Sequence, residues 1–195
     1  MSRKARTQQE RRSATTQVVL ENATNLFGSR GYQATSLEDI AEASGTTIRP
    51  VYHYFGNKLN LFLAVTESME SLLFKALFDI ESTKASKVVL ADYWNTFMQY
   101  SRDPKFRQIV LIDAPAVLGR ERWKNSPVVE RAIDVLCTML PGMHSETRLL
   151  VARMAVAALT EAAMSLAEPG NTNKEKAIEE VSALFSLSLL SLGKP

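Results

Sequence analysis

The residues best equipped for recognition chemistry lie in one short stretch, GTTIRPVYHYF, at positions 45–55. It holds a cation, an imidazole and two phenols within a few positions: Arg49, His53, Tyr52 and Tyr54. A guanidinium can donate two parallel hydrogen bonds to a guanine, and tyrosine hydroxyls can bond phosphate oxygens. The residue types therefore indicate nucleic-acid recognition, provided that these side chains point away from the protein core.

The stretch is predicted to form a two-turn helix that begins after a threonine. Thr46 or Thr47 is the expected N-cap, because threonine hydroxyls satisfy free amides of a first helical turn. Pro50 then lies in that first turn, where amides have no acceptor within the helix, so the proline costs no hydrogen bond. We therefore expect Pro50 to help define where the helix begins and not to break it.

A helical wheel at about 100° per residue separates the side chains into two sets. The inward set is apolar: Ile48, Val51 and Phe55. The outward set contains Arg49 opposite the apolar face, with His53 beside it and one tyrosine on each flank. The two tyrosines could instead be core aromatics, but their position off the apolar face favours recognition.

A shorter helix is predicted to precede the stretch, starting after Thr35 or Ser36, with Leu37, Ile40 and Ala41 facing inward. Gly45 ends it, because glycine readily adopts a left-handed turn conformation. A helix, a tight glycine turn and a second helix make the spacing of a helix-turn-helix, whose second helix enters the major groove of DNA. The hydroxyls at 35 and 36 and the ammonium of Lys58 are expected to contact phosphates, which fix the register.

Residues 20–65, LENATNLFGSRGYQATSLEDIAEASGTTIRPVYHYFGNKLNLFLAV, closely resemble the DNA-binding domain of TetR-family transcriptional regulators. The matching positions are Ala23, Leu26, Phe27, Arg30, Gly31, Tyr32, Ala34, Thr35, Ile40, Ala41, Gly45, Val51, Tyr52, Phe55 and Lys58. The resemblance implies this operator-facing set: Thr35, Ser36, Thr46, Thr47, Ile48, Arg49, Pro50, Tyr52, His53, Tyr54 and Lys58. Thr46 and Pro50 depart from the family pattern, which leaves base contacts at those two positions open.

The rest of the chain is predicted to be helical as well, giving an all-α protein of about nine helices drawn from ten candidate segments. The predicted helices cover about 8–27, 36–44, 48–55, 59–80, 88–100, 105–112, 115–123, 126–140, 145–167 and 174–192. We expect a helix-turn-helix domain at 1–57 and a larger helical domain at 58–195. The last helix is apolar on two sides, so it should bury one of them against a partner chain. Its alternation also fits a strand, but a lone strand would have no sheet to join.

In the second domain, DAPAVLGRERW (113–123) and AVAALTEAAM (155–164) resemble segments of the TetR-family regulatory domain. The resemblance implies a homodimer formed by the last two long helices and a pocket for a small-molecule effector among the middle helices. Small or apolar residues are candidates for the dimer interface: Ala152, Ala155, Ala158, Ala162, Leu184 and Leu187. Aromatic and interior polar residues are candidates for the pocket: Phe74, Phe78, Tyr93, Trp94, Phe97, Met98, Asp113, Trp123, Arg153 and Glu161.

Composition narrows the function classes further. Residues 1–58 hold eight Lys and Arg against five acids, so the net charge of +2 is concentrated in the predicted DNA-binding third. One cysteine, Cys137, cannot form an internal disulfide, and with two histidines it makes a zinc site hard to assemble. No apolar run approaches the ~20 residues of a membrane span. We expect a cytoplasmic protein with no cofactor and no metal.

The sequence thus predicts a DNA-binding transcriptional regulator, most simply a homodimeric repressor that binds a palindromic operator and is released by a small molecule. An enzyme is a poor alternative, because the chain has two distant histidines and no phosphate-binding glycine loop. A helical ligand-binding or scaffold protein that no longer binds DNA is the second alternative. Repressor and activator are not distinguished by the sequence.

Overall fold

The computed structural model describes residues 8–83 and 90–167 and the single positions 176, 179, 180 and 183. The first five helices are α1 (Gln8–Arg30), α2 (Leu37–Ala43), α3 (Ile48–Phe55), α4 (Lys58–Thr83) and α5 (Leu90–Arg102). An unbroken helical segment follows, made of α6 (Pro104–Phe106), a π-helical stretch (Arg107–Asp113) and α7 (Ala114–Val117). The remaining helices are α8 (Arg120–Lys124), α9 (Pro127–Thr138) and α10 (Ser145–Ala167). With 104–117 counted as one, the described ranges hold nine helices and no strand, which confirms the all-α prediction.

The structure corrects two of the predicted boundaries. α1 continues through Gly28 to Arg30, beyond the end expected near residue 27. The segment 104–117 runs straight through Pro115, where two separate helices were predicted. Proline lacks the N–H that an α-helix needs, but here Ala114 N–H bonds the carbonyl of Ile109, five residues back. The wider π-helical turn thus carries the helix past the proline, and the break comes instead near Gly119.

The predicted DNA-binding third, residues 1–58, which we call the DNA-reading third, is held by one apolar core. Val19, Ala23 and Phe27 of α1 are fully buried, together with Ile40 of α2 and Val51 of α3. The first turns of α4 belong to the same core through Leu61, Phe62 and Val65. This core continues without interruption into α5 and the 104–117 segment. Residue 57, the predicted domain limit, therefore falls just before a helix that packs with both parts of the chain.

Three aromatic rings tie α1 to α4 beside the helix-turn-helix. The Phe27 and Phe62 ring centroids are 5.1 Å apart in an edge-to-face contact, and Tyr32 lies 4.9 Å from Phe62. Tyr32 also stacks on Phe27, with 5.9 Å between the ring centroids. Aromatic pairs of this geometry add to the stabilisation that burial provides. They hold the chain that leaves α1 against the start of α4.

A second, smaller core joins α9 to α10. Leu136 and Leu140 pack there against Ala152 and Ala155, which are both fully buried. The prediction that these two alanines form the dimer interface is therefore wrong, because their side chains are covered by the protein's own α9. Ala158 is exposed on α10, as that prediction requires.

The three remaining candidates for the dimer interface are placed differently. Ala162 is half-buried and packs against the small cluster of Trp94, Met98 and Ala163. Leu184 and Leu187, like most of the predicted last helix, lie outside the described residues.

A bidentate ion pair fastens α8 to α4. Arg122 donates from Nη1 and Nη2 to Glu70 Oε1 and Oε2, at 2.5 and 2.8 Å. The Glu70 side chain is only 4% exposed, whereas that of Arg122 is 20% exposed. A carboxylate this deeply buried would be costly without its partner. The pair therefore fixes the position of α8 on the helix that leaves the DNA-reading third.

Replacing Arg122 with alanine is expected to lower the free energy of unfolding by about 3 kcal/mol, because Glu70 would remain buried without a counter-charge. Urea denaturation followed by circular dichroism would measure the loss. Lys124→Ala is the matched control, since the Lys124–Glu121 pair is exposed on both sides and such pairs contribute below about 1 kcal/mol. Equal effects of the two substitutions would contradict this account of the buried pair.

Candidate nucleic-acid interface

The start of α2 is fixed by reciprocal hydrogen bonds between Ser36 and Asp39. Ser36 Oγ accepts from the Asp39 amide at 3.0 Å, and Asp39 Oδ2 accepts from the Ser36 amide at 2.9 Å. This capping box satisfies two amides that the helix leaves free. The backbone and side-chain hydrogen bonds of Ser36, helped by the charge of Arg30, lower the pKa of Asp39 below its ordinary value. Ser36 is half-buried at the predicted DNA-facing edge.

Thr35, the neighbouring predicted phosphate contact, is placed inside the protein. Its side chain is 1% exposed, and its hydroxyl donates to the carbonyls of Gly31 at 2.9 Å and Leu26 at 3.3 Å. The expectation that Thr35 faces the operator is therefore wrong, since its one hydroxyl proton serves the end of α1. The residue supports the site from beneath by joining α1 to the start of α2.

The turn between α2 and α3 follows from Gly45, which adopts the left-handed conformation with φ of 62°. The Gly45 amide bonds the carbonyl of Glu42, and the Thr46 amide bonds that of Ala41, both at 3.0 Å. These two bonds form a Schellman motif, which ends a helix and sets the direction of the chain beyond it. The sequence prediction of a tight glycine turn is confirmed.

α3 has the orientation that the helical wheel predicts. Val51 is fully buried, and Ile48 and Phe55 pack against the same core. The operator-facing position that the family resemblance implied for Ile48 is therefore wrong, because its side chain belongs to the inner face of α3. Arg49 and His53 are exposed on the opposite side. A two-turn helix anchored on one face thus presents its cation and imidazole to the outside, as a helix that enters a DNA groove must.

Thr47 is the N-cap of α3, but its hydroxyl makes no capping hydrogen bond. The expectation that a threonine hydroxyl satisfies the first-turn amides here is therefore wrong. Thr47 is exposed and Thr46 is half-buried. Pro50, also half-buried, lies in the first turn of an unbroken helix, as predicted.

The two tyrosines of α3 have different surroundings. Tyr52 is 50% exposed. The ring of Tyr54 is half-buried and lies 5.3 Å from that of His53, while the guanidinium carbon of Arg12 lies 5.5 Å from the Tyr54 ring centre. Sequence reasoning missed Arg12 as a member of this surface. Its distance of 42 positions from Tyr54 hid the contact, although its place in the basic N-terminal third was a signal.

A cleft of about 420 Å³ lies beside α3 and brings together Ser36, Tyr52 and Lys58 with Gln33 and Asn57. All five side chains can donate hydrogen bonds, and such groups suit phosphate oxygens. Gln33 and Asn57 were not predicted, because neither lies on α3 and amides are common on any surface.

Besides lining the cleft, Lys58 contacts an aromatic ring of the protein. Its Nζ lies 4.2 Å from the centre of the Tyr32 ring, close enough for a cation–π interaction. This contact holds the ammonium at the edge of the cleft, next to the aromatic cluster of α1 and α4.

Four of the predicted pocket residues line a narrow cavity between the helices of the second part. Tyr93, Trp94 and Phe97 of α5 face Trp123 of α8 across a space of about 60 Å³. Thr160 of α10 is the one side chain of this lining that carries a hydroxyl besides Tyr93. The aromatic prediction therefore locates a mostly apolar cavity.

A wider groove of about 630 Å³ adjoins this cavity and shares Trp123 and Thr160 with it. Its lining includes two predicted polar residues, Arg153 and Glu161. Both are exposed, so their prediction as interior groups is wrong, although they border the groove. Such a combination of an apolar cavity and a few polar groups is typical of small-molecule sites.

The other predicted pocket residues are distributed elsewhere. Phe74 lines a separate cavity of about 520 Å³ beside the Glu70–Arg122 pair. Phe78 is 52% exposed, so its assignment to a pocket wall is wrong. Met98 is buried in the core with Trp94.

Asp113, predicted as a polar group inside the pocket, lies in a different place. Its Oδ2 accepts from the Tyr32 amide at 2.7 Å, so the carboxylate contacts the DNA-reading helices. That assignment is wrong because the π-helical stretch turns Asp113 toward α1.

Within 8–83 and 90–167, no group of three metal-ligating side chains comes together. In the same part of the chain, no helix combines the length and the apolar character that a bilayer span requires.

Comparisons with known proteins agree with this geometry. The family model described as bacterial regulatory proteins of the tetR family matches residues 19–65, and that of the tetracyclin repressor-like C-terminal domain matches 89–188. The transcriptional repressor AcnR of Corynebacterium glutamicum is 28% identical over 161 residues, covering 74% of this chain and 84% of that protein.

Solved structures show the same fold. A TetR-family regulator from Pectobacterium atrosepticum superposes with a TM-score of 0.67 and 26% identity, covering 97% of this chain and all of that one. The fatty acid degradation regulator FadR of Bacillus halodurans superposes with a TM-score of 0.64 over 90% of this chain and 94% of its own. Its identity of 16% makes it a likeness of fold alone.

Replacing Ser36 with alanine is expected to lower the free energy of unfolding by about 1 kcal/mol, because one α2 amide loses its acceptor. Chemical denaturation would measure this loss against Ser29→Ala, because the exposed hydroxyl of Ser29 caps no helix start.

Asp39 stabilises the fold fully above its unfolded pKa, near 3.8, and loses that effect as the pH falls through its lowered folded pKa. Asp39→Asn should remove that acid-range dependence; an unchanged pH profile would contradict the capping box.

Proposed function

Because this chain belongs to the TetR family of bacterial regulatory proteins, we propose that it is a homodimeric repressor that a small molecule releases from a palindromic operator. The family assignment itself makes the chain a DNA-binding transcriptional regulator and not an enzyme. The observation that carries the proposal is α3, anchored by fully buried Val51 with Arg49 and His53 exposed opposite.

In this proposal α3 reads the bases. Arg49 is the residue best suited to a bidentate contact with guanine in the major groove. His53 lies on the same exposed face, one turn further along. Tyr52, Thr46, Thr47 and Pro50 complete the groove-facing surface, and Pro50 provides an apolar contact for a thymine methyl.

Phosphate contacts then set the register of α3. Ser36 and Lys58 border the cleft beside Tyr52 and can bond one DNA strand. Tyr54 and Arg12 lie together on the other flank of α3, where they can bond the opposite strand. Two such flanks, one on each side of a recognition helix, match the two phosphate backbones that border a groove.

The second protomer is proposed to pack on α10. Among the described residues, an apolar stripe is left exposed there, with Leu150 59% and Met154 63% exposed. Ala158 continues the stripe one turn later and is small enough to let another helix approach closely. Met154 and Ala157 also line the wider groove, so a second protomer on this face would border the groove as well. Apolar side chains at this spacing form one face of a helix, and large exposed apolar faces mark interaction sites.

The proposed effector binds the apolar cavity of Trp94, Phe97 and Trp123 and extends into the groove that holds Arg153 and Glu161. For effector binding to release the protein from DNA, the effector need only prefer one particular conformation. In that conformation the two copies of α3 no longer match successive major grooves, which lie about 34 Å apart. The repressor role is supported by AcnR, a relative named as a transcriptional repressor. Such a protein acts in the cytoplasm.

Arg49→Ala is expected to weaken operator binding by about 1–3 kcal/mol and to relax base preference at one position of each half-site. Fluorescence anisotropy with operator and random duplexes would measure both effects. An unchanged preference for operator over random DNA would remove Arg49 from base reading.

Lys58→Ala should instead weaken operator and random DNA about equally and reduce the salt slope of binding by about 1, since its ammonium contacts a phosphate. Lys75→Ala is the control, because that exposed lysine lies about 25 Å further along α4. A Lys58 variant with the wild-type salt slope would contradict the phosphate contact.

Met154→Glu is expected to shift the protein from dimer to monomer in sedimentation velocity, because it places a charge in the proposed apolar contact. Leu72→Glu provides the control: Leu72 of α4 is 58% exposed but lies outside the stripe. A dimer that survives the Met154 change at micromolar concentration would refute this interface.

A further inference from the structure

The turn that leaves α1 is bonded to a distant helix. Gly31 has a left-handed φ of 79°, and the amide of the next residue, Tyr32, donates to Asp113 Oδ2 at 2.7 Å across 81 positions. Hydrogen bonds to a carboxylate are stronger than those between neutral groups. The bond joins the DNA-reading third directly to the 104–117 segment.

Gln108 lies beside this bond. A β-carbon at Gly31 would be 3.4 Å from Gln108 Nε2 and 3.5 Å from Asp113 Oδ2. The carboxamide and the carboxylate therefore cover the same glycine from the same side. Glycine is needed here for its left-handed conformation and for this close approach.

The π-helical stretch explains how two residues five positions apart can share one face. In an α-helix, positions 108 and 113 would differ by roughly 140° around the axis. In a π-helix each amide bonds the carbonyl five residues back, and a turn holds about 4.4 residues. The angle between positions 108 and 113 around the axis then falls to roughly 50°. The structure has this register over Arg107–Asp113. Pro115 favours it, because proline cannot donate the bond that an α-helix would make to Leu111.

The Tyr32 side chain connects this contact with the DNA surface. Its ring packs on Phe62 of α4, and the Lys58 ammonium lies over it. A displacement of the Tyr32 backbone would therefore move the cleft beside α3 in which Lys58 and Ser36 lie.

We infer that Asp113 is a positioning residue for DNA binding: the π-helical register that Pro115 favours holds its carboxylate on the Tyr32 amide and so fixes the orientation of α1–α3 against the 104–117 segment. The inference rests on the proposed operator binding for its functional consequence. Its structural part concerns the described residues alone and can be measured without DNA.

Three variants test the contact. Asp113→Leu removes the acceptor, Asp113→Asn keeps an acceptor oxygen, and Pro115→Ala leaves the contact residue intact but restores the α-helical hydrogen-bond donor. Asp113→Leu and Pro115→Ala should lower operator affinity about tenfold, while Asp113→Asn, which keeps a weaker neutral acceptor, should lose clearly less. Hydrogen exchange of the Tyr32 amide should accelerate in Asp113→Leu and in Pro115→Ala, but not in Asp113→Asn.

Asp103→Ala is the matched structural control. The Asp103 carboxylate caps α6 by accepting from the Lys105 amide at 2.9 Å, at the other end of the same segment. Its loss should lower stability but leave operator affinity and Tyr32 exchange unchanged. Equal losses of operator affinity in Asp103→Ala and Asp113→Leu would overturn the positioning role.

The orientation itself is measured by spin labels at exposed Glu42 of α2 and Glu130 of α9, in a Cys137→Ser background. The distance distribution should broaden in Asp113→Leu and Pro115→Ala but not in Asp103→Ala. If the Tyr32 amide exchanges faster in Asp113→Leu and Pro115→Ala but their spin-label distance distributions stay unchanged, the inference is refuted, even if the wild-type protein binds an operator. A wild-type protein without operator preference would refute the proposed function instead, and the spin-label distances would still decide the positioning role.

Discussion

The burial of Val51 is the constraint on which the DNA-reading surface depends. α3 has two turns, too few for a helix to persist in water alone, so its stability and direction come from the packing of its inner face. Val51 is fully buried beneath α1 and α2, and this fixes which side chains of α3 face outward. The Gly45 turn and the capping box at Ser36 complete the geometry by fixing where α2 ends and begins.

The two parts of the chain are joined by specific polar contacts as well as by the shared core. Asp113 bonds the turn after α1, and Arg122 bonds Glu70 on α4. The segment that carries Asp113 also carries Val110 and Leu111, which line the wider groove of the proposed effector site. One helical segment therefore borders both the groove and the DNA-reading helices, which gives a change at the groove a short physical route to α3.

The helix-turn-helix could be predicted from sequence because its determinants are local. Apolar spacing placed Val51 inward, and Gly45 marked the turn. Contacts between distant positions were not predictable in this way. Thr35 is buried with its hydroxyl bonded to carbonyls at the end of α1, and Ala152 is buried because it packs on α9. Pro115 was expected to break a helix, because helix-breaking rules do not anticipate a π-helical turn. That register also moved Asp113 from the expected pocket to the α1 turn.

The central claim, that α3 of two linked copies reads a specific DNA sequence, is tested most directly by selecting duplexes from a random library with the purified full-length protein. The account predicts enrichment of an inverted repeat whose half-sites are centred about one helical turn, or a small multiple of it, apart. Enrichment should disappear in the Val51→Asp variant, because a charge replaces the buried side chain that anchors α3. Recovery of sequences with no common motif, at physiological salt and with folded protein, would contradict the account.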